Sequence, residues 1–191
     1  MTRPRITPAI RDVPNILSAL RLLAAPFAAY LIIVGHDMAA LLVFAAAGLS
    51  DGLDGFIARR WGFTSDFGAW LDPLADKLLM LFSLSALFIV GATPLWLVAL
   101  VVARDLVIVM GWLLVKLFAW PVATSPLFVG KLSTVTQILY VLGALMFLAF
   151  DIGAPGVERA GAWISGLATI LSAVAYGGVL LRGFLRGRST A

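Results

Sequence analysis

The sequence has no cysteine and a single histidine, His36, in 191 residues. A disulfide framework, a Cys-ligated zinc site and an iron–sulfur cluster are all excluded, and one imidazole cannot build a His-based metal centre. Charge is scarce as well. Asp, Glu, Lys and Arg make up 13% of the chain, against about 25% in soluble domains. Disorder, which needs high charge and low hydrophobicity, is excluded too. What fills the chain is apolar: 62% of residues, with a mean hydropathy of +1.04. An ordinary water-soluble globule is closer to 45–50% apolar, so the composition describes a small polytopic membrane protein.

A membrane-crossing helix needs about 20 apolar residues. Such stretches occur at roughly 15–35, 38–58, 72–91, 94–116, 131–150 and 160–181. They are rich in Leu, Val, Ala, Phe and Trp and lack the alternation of barrel strands. The expectation is an all-α fold of six transmembrane helices, one membrane domain over residues 1–191, with no internal repeat. Residues 1–13 read as a cytoplasmic or interfacial segment broken by Pro4 and Pro8, and 182–191 as a cytoplasmic tail. The first apolar run is too long for a signal peptide, and five more follow it.

Lys and Arg set the expected orientation. If six spans alternate, Arg3, Arg5, Arg11, Arg59, Arg60, Lys116, Lys131, Arg182, Arg186 and Arg188 fall on one side, and Arg159 alone on the other. The positive-inside rule places both termini in the cytoplasm. The net charge of +4 is then explained by juxtamembrane cations facing anionic lipid and needs no nucleic-acid partner.

Charges at or inside the spans are Arg21, Asp51, Asp54, Asp72, Asp76, Lys77, Arg104 and Asp105. Each costs about 2.5–3.5 kcal/mol at membrane depth unless paired, metal-bound or hydrated. Arg104 and Asp105 read equally well as an ion pair that holds the bundle. The four aspartates between residues 51 and 76 do not, because too few cations lie near them to pair all four. Asp51, Asp54, Gly55 and Ala58 are spaced i, i+3, i+4, i+7, and Gly68, Asp72 and Asp76 i, i+4, i+8, so each set shares one helix face. Adjacent antiparallel helices would bring the two faces together at the cytoplasmic end. Clustered carboxylates demand cations, and all-oxygen ligands select Mg²⁺, Mn²⁺ or Ca²⁺. Four exceed what one Mg²⁺ takes, which points to a two-metal site acting on a phosphate ester or anhydride.

Gly52, Gly55, Ala58 and Gly68 leave those faces bare, either for close helix packing or for a bulky ligand such as a nucleotide whose phosphates Arg59 would pair. Pro73 is expected as an early helix residue after Asp72, where its missing N–H costs nothing. His36, Asp37 and Asp66 read as ordinary loop residues, and Trp61, Trp96 and Trp120 as interfacial anchors.

The run Asp51-Gly-Leu-Asp54-Gly55-Phe-Ile-Ala58-Arg59, then eight residues to Gly68, three to Asp72 and three to Asp76, resembles the signature of the CDP-alcohol phosphatidyltransferases at every fixed position. The entry to the first span, Pro14-Asn15-Ile-Leu-Ser18-x-x-Arg21, and the opening of the fifth, Gly130-Lys131-x-x-Thr134, are similar to family features too. The resemblance implies an integral-membrane homodimer that transfers a phosphatidyl group from CDP-diacylglycerol to an alcohol and releases CMP. It implies that Asp51, Asp54, Asp72 and Asp76 ligate two divalent ions (Mg²⁺ or Mn²⁺), that Asp76 is also the general base, and that Gly55, Ala58, Arg59 and Gly68 hold the CDP moiety.

Arg21, Arg104 and Lys131 are cations placed to meet an anionic acceptor, so a phosphate-bearing alcohol is expected. Enzymes of the family that use glycerol 3-phosphate tend to show Arg-Glu in the fourth span, a second arginine two turns on, and Gly-Lys-x-Lys-Thr at the fifth. This chain has Arg104-Asp105, Trp112 and Gly130-Lys131-Leu-Ser133-Thr134. Those departures resemble the eukaryotic-type cardiolipin synthases, as does Arg59-Arg60-Trp61, and favour phosphatidylglycerol as acceptor with glycerol 3-phosphate as the alternative. The short N-terminus, without a long Ser/Arg-rich transit segment, favours a bacterial inner membrane. An intramembrane prenyltransferase would need a second Asp cluster, and residues 95–191 offer only Asp105, Asp151 and Glu158. A cation transporter would favour inverted repeats or broken helices in both halves, and neither is visible.

Overall fold

The computed structural model describes the backbone of residues 8–61, 66–118 and 127–188, and side chains over 18–50, 73–118 and 127–184. Six helices account for it: α1 (Pro8–Ile33), α2 (Asp37–Trp61), α3 (Asp66–Ile89), α4 (Leu95–Leu117), α5 (Phe128–Ala149) and α6 (Pro155–Arg188). There is no strand among the described residues. Among them, Leu95–Leu117, Phe128–Ala149 and Pro155–Phe184 are long and apolar enough to cross a bilayer, and Ser18–Ile33 and Asp37–Ser50 are shorter apolar helical stretches. An all-α integral membrane protein is the result. The six-span count itself rests on helix number.

The helices outrun the apolar stretches that announce them. α1 begins at Pro8 and α3 at Asp66, because hydropathy marks only the part of a helix that meets lipid or core. The break expected at Pro8 is instead a helix start, where proline's fixed φ is favourable; residues 1–7 lie outside the described residues. Pro73 is likewise interior to α3 rather than at its start. An interior proline costs about 3 kcal/mol in water but is tolerated in membrane helices, where neighbouring groups satisfy the freed carbonyl.

The ends of α1 and α5 carry their own stop signals. Gly35 has φ 78°, with His36 N–H donating to Leu31 O and Gly35 N–H to Ile32 O, the paired bonds of a left-handed C-terminal cap. Asp151, φ 51°, does the same after α5, through Ile152 N–H to Phe147 O and Asp151 N–H to Leu148 O.

The chain divides into two compact units, Met1–Val90 with Ala144–Ile152, and Gly91–Gly143 with Gly153–Ala191. In the first, α1 packs along both α2 and α3. Its buried stripe is Ser18, Arg21, Ala25, Ala28, Ala29 and Ile32, while Leu20, Leu23, Phe27 and Tyr30 are exposed. The 3–4 spacing of the stripe is that of one helix face, and its small residues let backbones approach closely where lipid removes the hydrophobic drive between helices. Ala40, Phe44 and Ala47 of α2, and Ala75, Leu79, Leu84 and Leu87 of α3, complete this core.

In the second unit α4 and α6 run parallel. A Cβ on Gly166 would meet the Trp96 ring at 2.6 Å and one on Gly111 would meet Leu180 at 2.5 Å, so the contacts advance in step along both helices. α5 runs antiparallel to α6, from Gly130 beside Tyr176 to Gly161 beside Tyr140. Lys116, Lys131 and Arg182 therefore share one end of this unit and Arg159 lies at the other, the asymmetry expected of alternating spans.

Candidate functional site

Two turns of α1 carry Ser18 and Arg21 on its buried face, where Arg21 is 2% exposed. A guanidinium so buried needs a fixed anion. It finds Asp76 of α3, whose Oδ1 accepts from Arg21 Nη1 at 2.8 Å. Asp76 directly follows the fully buried Ala75, so it stands at the edge of the α3 packing face, with 43% of its side chain still exposed. The carboxylate is thus held by Arg21 from the core side while part of its side chain reaches the surface.

The other residues of the aspartate pattern are placed by backbone alone. Both segments are helical, so Asp51, Asp54, Gly55 and Ala58 share one face of α2, and Gly68 and Asp72 share the α3 face of Asp76. Arg59 follows on α2. The side chains of 51–72 lie outside the described residues, and with them the expected convergence of the four carboxylates. Among the described residues no three His, Cys, Asp or Glu side chains gather to hold a metal.

In the second unit Arg104 is the buried cation, 7% exposed. Its Nη1 donates to Asp105 Oδ1 at 2.7 Å, its Nε to Ser172 Oγ at 3.1 Å and its Nη2 to Gly130 O at 3.2 Å. One guanidinium ties α4 to α6 and to the first turn of α5, a task that its rigid fork suits. The ion pair with Asp105 is the reading that the sequence left open beside acceptor binding. Lys131 follows Gly130 in the first turn of α5 and is exposed. Tyr176 Oη accepts from Leu127 N–H at 3.3 Å and so caps that turn, and a Cβ on Gly130 would lie 2.9 Å from the same hydroxyl. Lys116 Nζ sits over the Trp112 ring at 4.1 Å.

Sequence reasoning named Arg21 and Asp76 but not their pairing, which spans 55 residues. It also missed the polar seam of α6. Ser133, Gln137 and Thr169 are buried and hydrogen-bonded together, with Gln137 Nε2 donating to both hydroxyls. The available signal was the 3–4 spacing of Ser165, Thr169, Ser172 and Tyr176 in an otherwise apolar helix.

The chain is similar to a probable cardiolipin synthase (CMP-forming) of Drosophila melanogaster, 31% identical over 87% of this chain and 57% of that protein. It is 33% identical to the chloroplastic CDP-diacylglycerol–glycerol-3-phosphate 3-phosphatidyltransferase 1 of Oryza sativa subsp. japonica, over 87% of this chain and 56% of that one. A cardiolipin synthase (CMP-forming) of Streptomyces coelicolor is 32% identical over 86% of this chain and 74% of its own length. The chain spans little more than half the length of the first two of these curated relatives. The family model of the CDP-alcohol phosphatidyltransferases matches residues 11–175, which takes in the whole Asp51–Asp76 pattern, and the chain belongs to that family.

Proposed function

We propose that the protein transfers a phosphatidyl group from CDP-diacylglycerol to an alcohol acceptor and releases CMP, and that phosphatidylglycerol is the acceptor, giving cardiolipin. The observation that carries the reading is the aspartate pattern in unbroken helical register on α2 and α3, in a chain of this family. We further propose a homodimer, a single catalytic domain that takes in both compact units, and a bacterial inner membrane with the cation-rich end toward the cytoplasm.

Asp51, Asp54, Asp72 and Asp76 would hold two divalent ions, Mg²⁺ or Mn²⁺. The donor set suits them: carboxylate oxygens on two helix faces, with Asp76 oriented by Arg21 and partly exposed. Such ions supply charge neutralisation at a pyrophosphate. The chain's own residues do the rest. Gly55, Ala58 and Gly68 leave room for CDP against bare helix, and Arg59 pairs its phosphates. Arg21 fixes the orientation of the Asp76 carboxylate. Asp76 takes the proton from the acceptor hydroxyl as its oxygen bonds to the phosphorus that bears the diacylglycerol. The bond from that phosphorus to the bridging oxygen breaks, and CMP departs with the bridging oxygen. Arg21, Arg104 and Lys131 supply the positive charge that an anionic acceptor requires.

Glycerol 3-phosphate is the second reading, favoured by the name of the rice relative. A paired assay separates them. Purified protein is given CDP-diacylglycerol and Mn²⁺ with phosphatidylglycerol or with glycerol 3-phosphate, and lipids are read by mass spectrometry. We expect cardiolipin from the first mixture; product from the second alone reassigns the acceptor.

A further inference from the structure

A second site lies wholly inside the second unit, at the end away from Lys116, Lys131 and Arg182. The loop into α4 and the first turns of α6 enclose a partly open cavity of about 420 Å³, lined by Thr93, Trp96, Tyr140, Glu158, Arg159 and Trp163 with neighbouring small residues. That volume falls in the range of small-molecule sites, about 300–1,000 Å³. Thr93 and Tyr140 are buried, and Tyr140 Oη donates to Thr93 Oγ1 at 3.2 Å, which fixes a polar wall. Trp96 and Trp163 form the aromatic wall, with ring centroids 4.9 Å apart and planes inclined at 31°. Trp163 is 68% exposed, as expected of an aromatic ring at a membrane boundary.

The charges of the lining decide the ligand. One guanidinium, Arg159, and one carboxylate, Glu158, face the same space. Pro94, in extended conformation, leads into α4 beside them. A phosphodiester matches the Arg159 guanidinium. An ammonium matches Glu158 and the faces of the aromatic rings. A head group with two negative charges, or with none positive, would leave Glu158 opposed or unmatched. We propose that this cavity binds the head group of a zwitterionic phospholipid, a phosphate ester carrying an ammonium, with its acyl chains lying along the exposed Trp163 side. The site stands apart from the proposed transfer reaction and does not rest on it.

The test uses the full chain in nanodiscs with equal fractions of phosphatidylethanolamine and phosphatidylglycerol. After extraction into detergent, retained lipid is counted by native mass spectrometry. We expect one phosphatidylethanolamine per chain, preferred at least tenfold over phosphatidylglycerol. Arg159→Ala should lose retention of phosphatidylethanolamine. Glu158→Gln should keep retention and lose the preference. Both residues are outside the core, so thermal midpoints should match wild type; if either variant fails to fold, competition on the wild type decides. There, phosphatidylethanolamine in mixed micelles should displace the retained lipid and water-soluble phosphoethanolamine should not. Equal retention of the two lipids by wild type, unaltered retention in both folded variants, or displacement by the soluble head group alone would overturn the proposal.

Discussion

At the residue scale, two buried arginines carry most of the information. Arg21 grips Asp76 at 2.8 Å from the core side, which orients the carboxylate. Asp76→Asn keeps the size and an oxygen for Arg21 but cannot take a proton. It is expected to lower transfer by about 10²–10⁴-fold, the usual contribution of a positioned base, while CDP-diacylglycerol still binds. Normal turnover by that variant would remove Asp76 from its role. Arg104 spends its fork on Asp105, Ser172 and Gly130. Arg104→Lys keeps the charge and loses the three-way geometry, so unfolding in detergent should come at lower temperature, by about 2–3 kcal/mol of stability. An unchanged midpoint would show that the three contacts do not hold the helices. The Arg104–Asp105 pair was legible in the sequence because its partners are adjacent. Arg21–Asp76 was not, because no helical spacing links residues 55 apart.

At the element scale, composition made the helices legible and left their ends obscure. All six expected stretches are helical, the form in which an apolar run satisfies its backbone within its own segment. The starts of α1 and α3 were misplaced because charges, Arg11 and Asp12 in α1 and Asp66 and Asp72 in α3, interrupt the apolar runs there, and Pro73 was misplaced with them. The packing faces were harder still. Which side of α1 is buried follows from small residues at 25, 28 and 29, whereas in a soluble helix it would follow from polarity. The left-handed Asp151 after α5 is a local cost, because a Cβ disfavours that conformation. Asp151→Gly should keep the Ile152–Phe147 and Asp151–Leu148 backbone bonds and raise stability by about 0.5–1 kcal/mol, read as a higher thermal midpoint. A lower midpoint would mean that the Asp151 side chain contributes more than its backbone costs.

At the scale of the whole molecule, scarcity of charge is what makes function readable. Ten acidic residues serve 191 positions, and four of them share two helix faces in the pattern of the family. The alternating distribution of Lys and Arg has a structural counterpart in the second unit, where Lys116, Lys131 and Arg182 lie at one end of parallel and antiparallel helices and Arg159 at the other. The acceptor was less legible, because the cations that would meet it are also used structurally, Arg104 above all.

The central claim is metal-dependent phosphatidyl transfer, and CMP release tests it most directly. Purified protein with CDP-diacylglycerol and phosphatidylglycerol should release CMP only when Mg²⁺ or Mn²⁺ is added, with one cardiolipin formed per CMP, and chelation should stop both. CMP release that persists undiminished in chelator, or none with any divalent ion and either acceptor, would contradict the account.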